Sequence, residues 1–258
     1  MAYTQYTYRF SNSVEYEFHY AGRYGLKGEC RAKRKKKTAE AVKRYNQRKR
    51  IDKVRRLIKA NFKKYDYFIT LKYPRGTRKN VDEVQADLKK FLSSLRRKYQ
   101  RREAQLKFIY RLEIGKRGGI HCHMILPRLP DGDMIISSSW HQGTVNFQNL
   151  YDKGNYEQLA SYITKEPTEE IEKQLSFFPE EEQKQFIKYS TSRNLIRPIC
   201  EKKKYSRWTV KKLLENGPTA SEGYYIDKSS IVSGISQWTG MSYLYYTEIL
   251  IKEKYEEG

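Results

Sequence analysis

The chain has 258 residues, of which 38% are hydrophobic and 14% aromatic, and this composition excludes an intrinsically disordered protein. Its formal net charge is +22, and the segment from Arg23 to Lys64 alone holds 19 Lys and Arg against three acidic residues. This charge predicts nucleic acid as a partner, because basic groups that neutralise phosphates release condensed counterions. A merely well-solvated basic surface and a localisation signal in the run KRKKK are the alternatives.

Motifs that are missing from the sequence narrow the classes further. The three cysteines are far apart and form no CxxC, which predicts a reduced protein without disulfides or a zinc knuckle. The segment MAYTQYTYRF has no apolar signal-peptide region, and no window reaches 18 apolar residues, so we expect a cytoplasmic protein with no membrane partner. The sequence has no GxxxxGK[ST], so another protein must supply any NTP-driven step.

The first part of the chain, residues 1–64, is predicted to be a basic strand and helix region that contacts DNA. TQYTYRF and VEYEFHY alternate aromatic and polar residues, which predicts two strands or a hairpin. Apolar residues at helical spacing predict a helix over about residues 38–61, whose other face is basic; an ordinary amphipathic helix would look the same. The candidate phosphate contacts are Lys33, Arg34, Lys35, Lys36, Lys37, Arg48, Lys49, Arg50, Arg55 and Arg56.

The central part, residues 65–167, has the clearest pattern. Periodicity predicts strands over residues 65–74, 106–115, 120–129 and 143–150, and helices over residues 81–102 and 155–166. The order β-α-β-β-β-α predicts an α+β fold, a ferredoxin-like split βαβ arrangement whose mainly antiparallel sheet carries helices packed on one side.

The last part, residues 168–258, differs in composition. An acidic helical stretch broken by Pro179 precedes basic segments and a Tyr-rich end. We expect a mixed C-terminal extension that binds DNA or a partner. Its aromatic residues favour a small core, and stacking on unpaired bases is the alternative.

Two of only four histidines lie in RGGIHCHMIL. In a strand, His121 and His123 share one face while Cys122 points to the other. A turn centred on Arg117 or Gly118 places Glu113 opposite His121 or His123. Two imidazoles and one carboxylate with open positions predict a catalytic divalent-metal site, and simple hydrogen bonding of strand histidines is the alternative.

A second pattern, Tyr162-Ile163-Thr164-Lys165, lies in a predicted helix, where residues i and i+3 share a face. A phenol is a poor nucleophile at its ordinary pKa, but beside a metal-polarised phosphate it becomes competent. Lys165 would stabilise the phosphate charge or orient the tyrosine. The pattern alone is weak, since the chain has 23 tyrosines.

Together, FITLKYP, RLEIGKRGGIHCHMIL and SYITKE resemble, in this order, the three motifs of HUH endonucleases. The sequence is most similar to the single-tyrosine rolling-circle replication initiators of bacterial plasmids, phages and mobile elements. This resemblance implies the HUH nuclease fold, Mg²⁺ or Mn²⁺ at Glu113, His121 and His123, and Tyr162 as the nucleophile that nicks one DNA strand. The product is a 5′-phosphotyrosine link and a free 3′-OH, with Lys165 in an accessory role. Because Lys72 stands where the first motif commonly has a second threonine, no catalytic role is carried onto that strand.

The expected function is therefore nicking and rejoining of a replication origin in a bacterial host cell, single-stranded or hairpin at the nick and double-stranded nearby. A host helicase is the expected protein partner. A mobilisation relaxase or a transposase would use the same chemistry. A DNA-binding repressor without turnover is an alternative from another class. A metal-dependent RNA-binding or RNA-processing protein would leave Tyr162 unexplained.

Overall fold

The computed structural model describes residues 2–22, 31–115, 118–151, 156–176, 178–205 and 210–251. In chain order the elements are β1 Tyr3–Phe10, β2 Ser13–Tyr20, α1 Ala39–Asn61, β3 Tyr67–Lys72, α2 Val81–Gln100, β4 Ile109–Ile114, β5 Ile120–Leu126, α3 Gly132–Ser137, β6 Thr144–Asn149, α4 Glu157–Thr164, α5 Glu169–Leu175, α6 Glu180–Ile187, β7 Tyr189–Thr191, β8 Cys200–Tyr205, α7 Lys211–Asn216, β9 Tyr224–Ile235 and β10 Ser242–Leu250. No helix within the described ranges is long and apolar enough to cross a membrane.

The chain folds into two compact units. Unit 1 combines Met1–Tyr45 with Arg197–Gly258, and unit 2 is Asn46–Ile196. The predicted division into residues 1–64, 65–167 and 168–258 assigns roles in DNA contact and nuclease chemistry, which packing does not test, so it stays a prediction.

Unit 1 is built on a five-stranded antiparallel sheet with the order β8-β1-β2-β10-β9. The predicted N-terminal hairpin is confirmed, because β1 pairs with β2 from Tyr3↔Tyr20 to Phe10↔Ser13. One face of the sheet buries a small core that includes Phe18, Leu244 and Tyr246. This core agrees with the preference for packing at Tyr246, whereas Trp208, the first tryptophan of the C-terminal part, lies outside the described residues.

Unit 2 is built on a second antiparallel sheet, with the order β6-β3-β5-β4-β7. The predicted strands and helices of the central part are all present, and the short helix α3 is added between β5 and β6. The α+β class is therefore confirmed. The strand that carries the two histidines, β5, lies in the middle of the sheet, paired with β3 on one side and β4 on the other.

Helices cover both faces of this second sheet, so the expectation of helices on one side was wrong. On one face, alternate strand residues such as Leu71, Leu112 and Met124 pack in a core with residues of α2, α3, α5 and α6. On the other face, Ile109 and Ile125 pack with residues of α1 and α4. The physical reason is that strand residues on both faces are apolar, and each face must be covered to remove it from water.

Helix α2 illustrates how the sequence specifies one of these layers. The Asn80 side chain accepts a hydrogen bond from the Glu83 backbone N–H, and the Glu83 carboxylate accepts one from the Asn80 N–H. This capping box satisfies two backbone donors that the first turn of a helix leaves free. Val84, Leu88 and Leu95 recur at helical spacing and are buried, which fixes the helix against the sheet.

Candidate active site

The two histidines of β5 lie on one face of the sheet, as predicted. Strand β4 pairs with β5 so that Glu113 lies opposite His121. The connecting turn is closed by hydrogen bonds from Gly115 N–H to Gly119 C=O at 2.8 Å and from Gly118 N–H to Gly115 C=O at 2.7 Å. Gly118 has a φ of 75°, a left-handed conformation that favours glycine. Lys116 and Arg117, in the same turn, lie outside the described residues.

The three side chains converge into one cluster. The Glu113 Oε2 atom lies 3.0 Å from His123 Nε2 and 3.7 Å from His121 Nε2. One ligand atom from each residue can be chosen so that all lie within 4.8 Å of one another. Cys122, between the histidines, is buried in the core on the opposite face. Two imidazole nitrogens and one carboxylate oxygen can therefore face a single divalent ion.

Tyr162 reaches this cluster from helix α4. Its hydroxyl donates a hydrogen bond to Glu113 Oε2 at 2.6 Å and lies 2.8 Å from His123 Nε2. The ring packs edge-on against His123 and against Phe68 of β3, with interplanar angles of 90° and 88°. These contacts fix the ring so that the phenol oxygen touches two of the three potential metal ligands.

The electrostatics of the cluster favour an anionic carboxylate. The imidazoles of His121 and His123 hold the pKa of Glu113 well below its ordinary value. Burial, and next the negative charge of Glu113, raise the pKa of Tyr162 well above its ordinary value. Within the protein alone, Tyr162 is thus held as a neutral phenol, and its activation requires added positive charge.

Lys165 lies one residue beyond the end of α4, as its C-cap, rather than inside the helix. It is exposed and lines the same cleft as Glu113 and Tyr162. Pro167 and residues of α5 and α6 form another wall of this cleft, so the acidic helical stretch borders the site.

Thr70 is a site residue that the sequence analysis missed. It lies on β3 directly opposite His123, and its Oγ1 atom is 3.1 Å from His123 Nδ1. A proton on Nδ1 that Thr70 accepts leaves the lone pair of Nε2 directed toward Glu113 and Tyr162, as metal ligation requires. The signal was present in the sequence, since Thr70 lies in the first motif, FITLKYP, at a position of the same strand face.

Arg111 is the second missed residue. It lies two positions before Glu113 on β4, so both side chains share a face, and its side chain is buried. Its Nη1 atom donates hydrogen bonds to the backbone carbonyls of Tyr162 at 3.1 Å and Ile163 at 3.2 Å. Burial lowers the pKa of Arg111, and Glu113 opposes that shift. The guanidinium therefore ties the last turn of α4 to the strand that carries the carboxylate.

The predicted phosphate contacts occupy different environments. Lys33, Arg34, Lys35, Lys36, Lys37 and Arg48 are exposed, and Lys49 is half-buried. Three arginines are engaged within unit 2: Arg50 donates to the Ile187 carbonyl, Arg55 lies 3.8 Å from Asp52, and Arg56 is buried with 9% exposure. The reason is that α1 packs its C-terminal half onto the sheet. The DNA contacts of all ten residues stay predictions.

The region that builds this site matches a known protein family. Residues 66–167 match a family of replication-associated proteins of the ORF2 type. The matched region extends from β3 to just beyond α4 and contains Glu113, His121, His123, Tyr162 and Lys165, although it is less than half of the chain. No curated protein and no solved structure shows significant similarity to the chain. The match supports a role in the initiation of replication.

Proposed function

We propose that this protein is a metal-dependent DNA strand transferase that nicks and rejoins a replication origin and thereby initiates rolling-circle replication. The observation that carries the proposal is the contact of the Tyr162 hydroxyl with Glu113 and His123. A phenol held against a potential metal cluster, inside the region similar to a replication-associated family, is the arrangement that covalent strand cleavage needs.

Glu113, His121 and His123 fit a divalent cation such as Mg²⁺ or Mn²⁺. The fit rests on the donor set, which combines a hard, ionised carboxylate oxygen with two imidazole nitrogens and leaves open positions for substrate oxygens. When bound, such a cation supplies positive charge that favours the tyrosinate and polarises a phosphate.

The residues of the chain carry the remaining chemistry. The Tyr162 oxygen attacks the phosphorus atom, a new P–O bond to tyrosine forms, and the bond to the 3′ oxygen of the preceding nucleotide breaks. The tyrosine proton has two acceptors within hydrogen-bond distance, Glu113 Oε2 and His123 Nε2. The leaving 3′ oxygen takes up a proton, and Lys165, which lines the cleft, contributes positive charge to the phosphate.

Because the phosphodiester bond is exchanged for a phosphotyrosine bond, its energy is conserved and the 3′-OH can reverse the step without ATP. This explains a tyrosine nucleophile where water would suffice for simple hydrolysis. Origin DNA as substrate, a host helicase as partner, and the choice of an initiator over a relaxase or transposase belong to the same proposal.

The test is covalent capture. Labelled single-stranded DNA that carries candidate origin sequences is incubated with the protein and Mn²⁺, and SDS-resistant protein–DNA adducts are resolved by electrophoresis. We expect an adduct with the wild-type chain and none with Tyr162→Phe. Tyr189→Phe, which removes a hydroxyl from another tyrosine of unit 2, is the matched control and should keep the adduct.

Two outcomes contradict the proposal in different ways. An adduct that survives Tyr162→Phe removes Tyr162 as the nucleophile. Specific origin binding by the wild-type chain without an adduct on any DNA favours the repressor without turnover. For the metal, Glu113→Ala should weaken Mn²⁺ binding, and an unchanged affinity would remove Glu113 from the ligand set.

A further inference from the structure

A basic segment in unit 1 is held in place by the turn between β9 and β10. This segment, called the basic arm here, comprises residues 31–37 and contains six Lys and Arg in seven residues. Its backbone donates hydrogen bonds from Ala32 N–H to Gly240 C=O and from Lys35 N–H to Gln237 C=O, both at 2.8 Å. The two bonds have the same antiparallel register, so the arm runs alongside the turn as a short extended ribbon.

Side chains strengthen this attachment. Trp238, in the turn, packs edge-on against Tyr45 with ring centroids 4.6 Å apart, and the Lys37 ammonium lies 5.5 Å from the Trp238 ring centroid. At the other end of the arm, the Arg31 guanidinium donates a hydrogen bond to the Tyr20 hydroxyl at 3.0 Å. These contacts anchor the arm at both ends.

The turn also has a residue that only close approach explains. Gly240 has a φ of 67°, and a Cβ atom there would lie 2.2 Å from the Ala32 carbonyl oxygen. Any other residue at this position would force the arm away from the turn. A glycine that makes room for the arm indicates that the attachment is built into the fold.

Between the anchors, the arm presents cations only. The side chains from Lys33 to Lys36 are exposed, and none has an ion-pair partner among the described residues. The arm contains no aromatic residue that could stack on a base. Such a surface binds phosphates without reading bases, and duplex DNA offers the denser array, about one charge per 1.7 Å of helix axis.

We infer that the basic arm, docked on the β9–β10 turn, is a preorganised grip for the phosphate backbone of duplex DNA, separate in role from the nicking cluster. Fixing the arm before binding lowers the conformational entropy lost on binding. The inference rests on the proposed function for the identity of the substrate as DNA, since it assigns the double-stranded part of the origin to this surface.

The experiment measures duplex affinity as a function of salt by fluorescence anisotropy, with the full chain and a labelled duplex. The arm variant replaces Lys33, Arg34, Lys35 and Lys36 with Gln. Each lost phosphate contact lowers the slope of log K against log[salt] by about 0.9, so we expect a decrease of about 3 to 4 and at least about tenfold weaker binding near physiological salt.

The matched control removes the same charge from another exposed surface. It replaces Lys89, Lys90, Arg96 and Arg97 of α2 with Gln; all four side chains are exposed. We expect its salt slope to fall by less than about 1. If the arm variant and the control show the same slope and affinity, the arm is only a solvated basic segment and the inference is wrong.

A second pair of variants tests the docking itself at constant charge. Ala32→Pro removes the N–H that bonds to Gly240, whereas Ala32→Ser keeps it. We expect severalfold weaker duplex binding with proline and unchanged binding with serine. Equal affinities would overturn the claim that docking preorganises the arm.

Covalent capture on a short single-stranded oligonucleotide separates this inference from the proposed function. The arm variant should still form the Tyr162 adduct at the wild-type rate, because the nicking cluster is intact. Loss of the adduct in the arm variant would contradict a separate role for the arm. Absence of an adduct in the wild-type chain would refute the nicking proposal, and the duplex measurements would still decide whether the arm binds DNA.

Discussion

Arg111 offers the sharpest test of how the tyrosine is positioned. Its guanidinium donates two hydrogen bonds to the carbonyls of Tyr162 and Ile163, while its own strand carries Glu113. Arg111→Met keeps the length and apolar stem of the side chain but removes both bonds. The last turn of α4 then loses its link to β4, and the phenol oxygen loses its fixed distance to the carboxylate.

The expected magnitudes follow from these contacts. Each hydrogen bond from a charged donor contributes about 1.5–3 kcal/mol. Burial already lowers the pKa of Arg111, so removing the buried charge offsets part of this loss, and we expect a net destabilisation of about 1–3 kcal/mol. A displacement of the attacking oxygen by about 1 Å reduces the rate by about 100-fold, so the rate should respond far more than the stability.

The assay is the single-turnover rate of adduct formation at saturating DNA and Mn²⁺, together with urea unfolding and Mn²⁺ titration. Arg111→Lys keeps the charge and one donor, and we expect it to recover part of the rate. Mn²⁺ affinity should stay within about threefold of the wild type if Arg111 acts on the tyrosine rather than on the metal ligands. A folded Arg111→Met variant that forms the adduct at the wild-type rate would refute the reasoning.

Three further predictions concern the same unit. Thr70→Val should weaken Mn²⁺ binding by about 10- to 100-fold in a metal titration, because the hydroxyl orients His123, whereas Thr70→Ser should retain the affinity. Chelation of divalent ions with EDTA should abolish adduct formation on SDS gels and Mn²⁺ should restore it; an adduct that persists after chelation would show that no metal is needed. Asp66 accepts hydrogen bonds from the backbone N–H groups of Lys63 and Arg128, so Asp66→Ala should lower the free energy of unfolding by about 2–4 kcal/mol. Burial raises the pKa of Asp66 in the folded state, so its contribution is full below the unfolded pKa and falls as pH rises through the folded pKa; urea unfolding should therefore show a larger loss at about pH 4 than at about pH 7.

The sequence by itself determined the local features of the site. Period-two alternation placed His121 and His123 on one strand face and Cys122 on the other, and the short turn to β4 placed Glu113 opposite His121. Helical spacing located α1, α2 and α4. These features follow from local backbone geometry, in which side-chain direction repeats every 2 or 3.6 residues, so nearby residues suffice to predict them.

The tertiary structure alone decided what those elements meet. It placed β5 between β3 and β4, which brought Thr70 to His123, and it packed α4 so that Tyr162 touches the cluster and Arg111 holds its carbonyls. It also covered both faces of the second sheet, which buried Arg56 of α1. Strand order and helix packing depend on contacts between residues far apart in the chain, and local periodicity carries no information about which distant partner buries a given face.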